Sequence, residues 1–131
     1  MHLIIGGAFQ GKLDYAKQEY RLADSDVCDC SAQMPDFSKQ CICHLEMAAW
    51  NWLREGKEPK LEMAACRERW QDCVLICNDI SAGVVPMEAE VRAWREAVGR
   101  MLNDLAPQAE TVTRVFCGRK EISHDTTRKQ T

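Results

Sequence analysis

The stretch Leu3-Ile4-Ile5-Gly6-Gly7-Ala8-Phe9-Gln10-Gly11-Lys12-Leu13 decides the reading of this chain. His2 to Ile5 form a short apolar run that ends at a Gly-Gly pair, the pattern of a buried strand running into a turn. From Lys12 to about Leu22 the pattern becomes helical, with Leu13, Ala16 and Tyr20 able to share a face. Between strand and helix, Gly6 to Lys12 fits G-x-x-x-x-G-K. The chemistry of that spacing is simple. Glycines let successive backbone N–H groups curl inward around phosphate oxygens. The helix that follows adds its positive end, and the lysine neutralises β- and γ-phosphate charge. Gly6, Gly7, Ala8, Phe9, Gln10, Gly11, Lys12 and Leu13 are therefore the candidate nucleotide-binding residues, for ATP or GTP. The competing reading is a glycine-rich turn that binds nothing. Leu13 stands where such loops carry Ser or Thr, whose hydroxyl ligates Mg²⁺. A leucine cannot ligate a metal, so the loop suits an anion or a nucleotide better than Mg²⁺-dependent phosphoryl transfer.

Outward from this loop, short apolar runs alternate with helical patterns. Asp26 to Cys30 and Gln40 to Leu45 are strand candidates, separated by a loop containing Pro35 and Ser38. Glu46 to Arg54 reads as a helix stopped at Gly56, and Pro59 opens another that runs to about Trp70. Cys73 to Cys77, the run CVLIC, suits a parallel strand covered on both faces. Glu88 to Leu105 carries Val91, Trp94, Val98, Met101, Leu102 and Leu105 at helical spacing. Thr111 to Phe116 alternates as a last strand. The expected fold is α/β: a P-loop NTPase-like three-layer sandwich with a mostly parallel sheet of about five strands. Residues 1–121 are expected to form one domain and 122–131 a polar, flexible tail.

Composition bounds the partners. The 131 residues carry a net charge of −3 with no basic stripe, which disfavours nucleic acid. No apolar run approaches the roughly 18 residues that a membrane span needs, and no secretory signal opens the chain, so the cytoplasm is the expected location. Eight cysteines, Cys28, Cys30, Cys41, Cys43, Cys66, Cys73, Cys77 and Cys117, fall mostly in strand-like runs and read as small buried hydrophobes in a reducing compartment. A weaker reading is zinc: two C-x-C pairs, Cys28/Cys30 and Cys41/Cys43, with His44 beside them, could converge from adjacent strands. Structural zinc sites prefer C-x₂₋₄-C spacing on turns, so buried thiols are preferred and no metal site is assigned.

Lys12 and Asp79 are the candidate catalytic residues. Lys12 would stabilise the transferring phosphoryl group. Asp79 follows the CVLIC strand, where open parallel sheets bind ligands, and could orient Mg²⁺ or an acceptor hydroxyl. An Asp that merely caps the loop or the next helix is an equal alternative. Trp50 and Trp52 cannot share one helical face, whereas Trp70 and Trp94 read as core.

The segment VLICNDISAGVVPMEAEVRAWREAVGRMLNDLA, residues 74–106, resembles the adenosylcobinamide kinase / adenosylcobinamide-phosphate guanylyltransferase family of cobalamin biosynthesis. The resemblance rests on Asn78-Asp79, the loop Ser81-Ala82-Gly83-Val84-Val85-Pro86, then Arg95, Gly99-Arg100 and Leu105-Ala106. The opening LIIGGAFQGK and the closing strand TVTRVFCG are similar to the family's first and last strands. The resemblance implies a P-loop fold, ATP or GTP as donor, a corrinoid alcohol (cobinamide) as acceptor, GMP transfer through a histidine intermediate, and a homo-oligomer, usually a trimer. Three departures stand out. The stretch SAQMPDFSKQ, where the family carries its nucleotidylated histidine, contains none. Cys43 replaces the family's metal-serving acid, and the nearest carboxylate, Glu46, is displaced. Leu13 lacks the hydroxyl. The resemblance therefore implies a nucleotide-binding relative without guanylyl transfer and with doubtful kinase activity. The alternative is a non-catalytic regulatory or partner-binding protein on the same fold.

Overall fold

The computed structural model describes residues 1–7, 11–80, 88–116 and 119–125. Strand β1 (His2–Gly6) leads into helix α1 (Lys12–Glu19), followed by the short strands β2 (Val27–Asp29) and β3 (Cys41–Cys43). Helices α2 (Leu45–Arg54), α3 (Pro59–Ala65) and α4 (Arg67–Trp70) precede β4 (Val74–Asn78). The long helix α5 (Ala89–Leu105), β5 (Thr111–Phe116) and β6 (Arg119–Asp125) complete the order. The strands form one six-stranded sheet, β2-β3-β4-β1-β5-β6. The first five are mutually parallel, and β6 pairs antiparallel with β5.

Both faces of this sheet are covered, which explains the continuous apolar runs. Side chains alternate between two cores. Leu3, Cys28, Ile42, Leu75, Cys77 and Val112 pack with α2, α3, α4 and α5 through Ala48, Trp52, Met63, Trp70, Val98, Met101 and Leu105. Ile4, Cys41, Cys43, Val74, Ile76 and Val115 pack with Ala16 of α1 and with Leu22. The result is a three-layer α/β sandwich of the P-loop kind. Among the described residues, no helix is long and apolar enough to cross a membrane.

Two expectations are corrected. The helix read from Pro59 to Trp70 is two helices, because Cys66 leaves helical geometry at φ −119°, ψ 25° and its N–H turns back to the Met63 carbonyl at 3.2 Å. The sheet also continues past the expected tail boundary at residue 121, since β6 stays paired through Asp125 opposite Thr111. A strand at a sheet edge has one side open to water and needs no apolar run, so its polar composition hid it. Residues 126–131, the rest of the expected tail, lie outside the described residues.

Candidate functional site

The carboxyl ends of β1 and β4 are the switch point of this sheet. From β1 the chain moves toward the β2 edge, and from β4 it crosses β1 to reach β5. The candidate loop leaves β1 at that point. Gly6 lies so close to β5 that an added Cβ would sit 2.5 Å from the Val115 carbonyl oxygen, so only glycine fits there. Gly11, the residue before α1, takes a left-handed conformation at φ 81°, which glycine adopts without steric cost. Ala8, Phe9 and Gln10 lie outside the described residues.

Lys12 opens α1 and is 93% buried, being 7% exposed. Its Nζ donates to the Gly7 carbonyl at 2.5 Å. Burial pushes its pKa below the ordinary lysine value, and the negative charge of Glu46 partly offsets that. Leu13, in the position of the missing hydroxyl, packs against the apolar cluster under α1.

Glu46 is the residue that sequence reasoning undervalued. It lies in the first turn of α2 and is 2% exposed. Its Oε1 accepts the Asn78 N–H at 2.9 Å, and its Oε2 lies 3.1 Å from His44 Nδ1. Its backbone carbonyl accepts the Trp94 indole N–H at 2.7 Å. The available signal was its position, three residues after the end of a parallel strand, where a first-turn carboxylate faces the site.

Asp79 stands next to the loop, as its place after β4 implied. Its N–H donates to the Gly6 carbonyl at 2.7 Å, which ties the end of β4 to the start of the loop. Its carboxylate is held by Arg114 of β5, with Nη1 at 3.3 Å. Arg100, one of the residues carrying the resemblance, ties α5 to the residue before α3 through Glu58 at 3.1 Å. Arg95 lies on the same helix, whereas Ser81 to Pro86 fall outside the described residues.

The two C-x-C pairs do not converge. The β2–β3 register sets Cys28 beside Ile42 and Asp29 beside Cys43, so Cys28 faces one core while Cys41 and Cys43 face the other. Cys28, Cys30, Cys41, Cys43, Cys73 and Cys77 are free and buried. Burial raises the Cys77 thiol well above its ordinary value and lifts Cys41 to about 12. Of the tryptophans, Trp52 and Trp70 are core, while Trp50 meets the half-buried Trp94 edge-on at a ring separation of 5.3 Å.

A family model described as cobinamide kinase / cobinamide phosphate guanyltransferase matches residues 38–122. The chain belongs to that family. The match runs from the loop before β3 into β6, and includes Glu46, Asp79 and α5. A comparison with curated proteins gives no significant match. Membership of the cobinamide kinase / guanyltransferase family supports a nucleotide-binding, kinase- and guanyltransferase-like role in cobalamin biosynthesis. The Mg²⁺ that P-loop kinases use does not suit the residues at its customary places here. Mg²⁺ demands oxygen ligands. Leu13 offers a packed hydrocarbon and Cys43 a buried thiol.

Proposed function

We propose that this member of the cobinamide kinase / guanyltransferase family binds ATP or GTP at Gly6–Lys12, has lost guanylyl transfer, and transfers phosphate weakly if at all. The observation that carries the reading is Lys12, buried at the start of α1 with its Nζ bonded to the Gly7 carbonyl. A buried cation with a backbone carbonyl as its main local partner is a good host for a phosphate, because an anion there offsets the cost of its desolvation. The strand-to-helix turn supplies the N-terminal dipole of α1 as well.

In a catalytic version, Lys12 would stabilise the transferring phosphoryl and Asp79, beside Gly6, would place the acceptor. Catalysis of this kind is mostly positioning and charge. The acceptor class is a corrinoid alcohol such as cobinamide, by family. Loss of GMP transfer is argued from residues 31–40, which hold no histidine to carry the nucleotide. A cytoplasmic, homo-oligomeric protein, a trimer by family, belongs to the same proposal.

A second reading, a non-catalytic nucleotide or partner binder, is favoured by one specific observation: the half-buried Leu13 packs against the apolar cluster under α1 and offers no ligand oxygen. Calorimetric titration with ATP and GTP, with Mg²⁺ and with chelator, separates the two. The expected result is binding that Lys12→Ala abolishes and that depends little on Mg²⁺. Strong Mg²⁺ dependence with product formed on cobinamide would instead establish an active kinase. Absence of binding in every condition would refute both nucleotide readings.

A further inference from the structure

Beyond β4 from β1, at the carboxyl ends of β2 and β3, three side chains of unlike chemistry meet. Asp29 offers a carboxylate oxygen, Cys43 its Sγ and His44 an imidazole nitrogen, all within 4.8 Å of one another. We propose that Asp29, Cys43 and His44 form a site for a thiophilic divalent cation of the Zn²⁺ class, with a coordination position left for solvent or a ligand.

The backbone builds this site. The parallel register pairs Asp29 directly with Cys43, so their side chains rise from the same face. Strand alternation would send the next residue, His44, to the opposite face. Instead His44 sits in the left-handed region at φ 55°, ψ 44°, a sparsely populated conformation for a residue with a Cβ. That turn breaks the alternation and brings the ring back within reach of Cys43. Conformational cost of this kind concentrates at sites that use it.

The supporting contacts of a metal site are also in place. Asp29 Oδ1 accepts the Ser31 N–H at 2.9 Å and the Ser31 hydroxyl at 2.7 Å, which fixes the carboxylate and leaves Oδ2 for a cation. His44 Nδ1 pairs with Glu46 Oε2 at 3.1 Å, which orients the ring and leaves Nε2. A carboxylate behind a histidine is the usual arrangement around protein-bound zinc.

The donor set decides the ion. One sulfur, one nitrogen and one oxygen suit Zn²⁺ and disfavour Mg²⁺ or Ca²⁺. Three protein ligands, rather than four, are the pattern of sites that keep an exchangeable position. Ligand atoms around tetrahedral zinc lie about 3.5 Å apart, so a modest closing of the exposed His44 ring completes the geometry. Binding exchanges the Cys43 S–H bond for an S–metal bond and releases that proton to solvent. The site does not depend on nucleotide binding, and it differs from the four-cysteine arrangement that the register excludes.

Co²⁺ reports the ligands directly. The full chain, stripped with chelator and kept reduced with a phosphine, is titrated with Co²⁺ alone. The expected result is saturation at a single equivalent, with tetrahedral visible bands and a near-ultraviolet thiolate-to-cobalt band, all lost on adding Zn²⁺. Cys43→Ser should remove the thiolate band. His44→Asn, which keeps a side chain tolerant of the left-handed backbone, should weaken Co²⁺ by about tenfold or more. Cys66→Ser, at the α3–α4 junction, should change nothing. Thermal melts establish that each variant is folded. No band at one equivalent, a band that survives in folded Cys43→Ser, or unchanged affinity in folded His44→Asn would each overturn the proposal.

Discussion

Glu46 Oε1 accepts the Asn78 N–H at 2.9 Å, so a buried carboxylate from the first turn of α2 caps the carboxyl end of β4. The same carboxylate provides the negative charge that Lys12 feels. Glu46→Ala leaves a backbone donor without its acceptor and removes the countercharge of a buried lysine. It should destabilise the fold by about 2–3 kcal/mol. Glu46→Gln keeps an oxygen for Asn78 and should cost less. Urea denaturation of the two variants checks the order, and equal losses would mean that charge alone matters.

Lys12 and Leu13 are expected to behave in opposite ways. Lys12→Ala should abolish nucleotide binding while changing stability little, since it removes a desolvated cation. Leu13→Thr restores a hydroxyl at the first turn of α1 and should make nucleotide affinity rise with Mg²⁺. The packing lost under α1 should cost about 1 kcal/mol. Calorimetry with Mg²⁺ and with chelator reads both. A Leu13→Thr protein still indifferent to Mg²⁺ would place the metal deficit elsewhere, at Cys43.

Gly6→Ala tests the close approach of β1 to β5. The atom that a Cβ would meet at 2.5 Å is the Val115 carbonyl oxygen, a backbone atom that cannot rotate away. The strands must separate, at a cost of about 2 kcal/mol or more. The melting temperature should fall, and nucleotide binding should weaken with it, because Gly6 also anchors Asp79. An unchanged melting temperature would show that the β1–β5 spacing is soft.

Alkaline pH should destabilise the metal-free protein through Cys77. Burial raises this thiol well above its ordinary value, so the folded state holds its proton more tightly than the unfolded chain does. The stabilisation is complete below the unfolded thiol pKa of about 8.5. It then declines as pH rises toward the folded value, by at most about 1.4 kcal/mol per pH unit. Lys12, shifted downward, acts in the opposite sense as pH approaches 10.5. Comparing urea midpoints of wild type and Cys77→Ala between pH 8 and 10 isolates the thiol. Parallel curves would mean that Cys77 does not govern the alkaline limb.

Much of this fold was legible because its signals are local. The run Cys73 to Cys77 suited a strand covered on both faces, and Val98, Met101 and Leu105 fall on the single stripe that α5 buries. The turn from β1 into α1 was legible for the same reason, since Gly6, Gly11 and Lys12 lie along one short chain segment. What escaped depends on which residues become neighbours. Glu46 gains its role from Asn78, thirty-two positions away. Convergence of the C-x-C pairs, the weaker reading, could be dismissed only once the register set Cys28 beside Ile42. Strand β6 carries no apolar run because its place at the sheet edge requires none.

Strand β1 lies near the middle of the sheet although it comes first in the chain. His2 pairs with Val74 on one side and Thr111 on the other. Its partners therefore follow it by 72 and 109 positions in the chain, and neither side of β1 can close before they have been made. Loops of this length must be closed before any parallel pairing repays them, which makes folding slow. During that interval Leu3, Ile4 and Ile5 remain uncovered, so the nascent chain depends on what shields its own first strand.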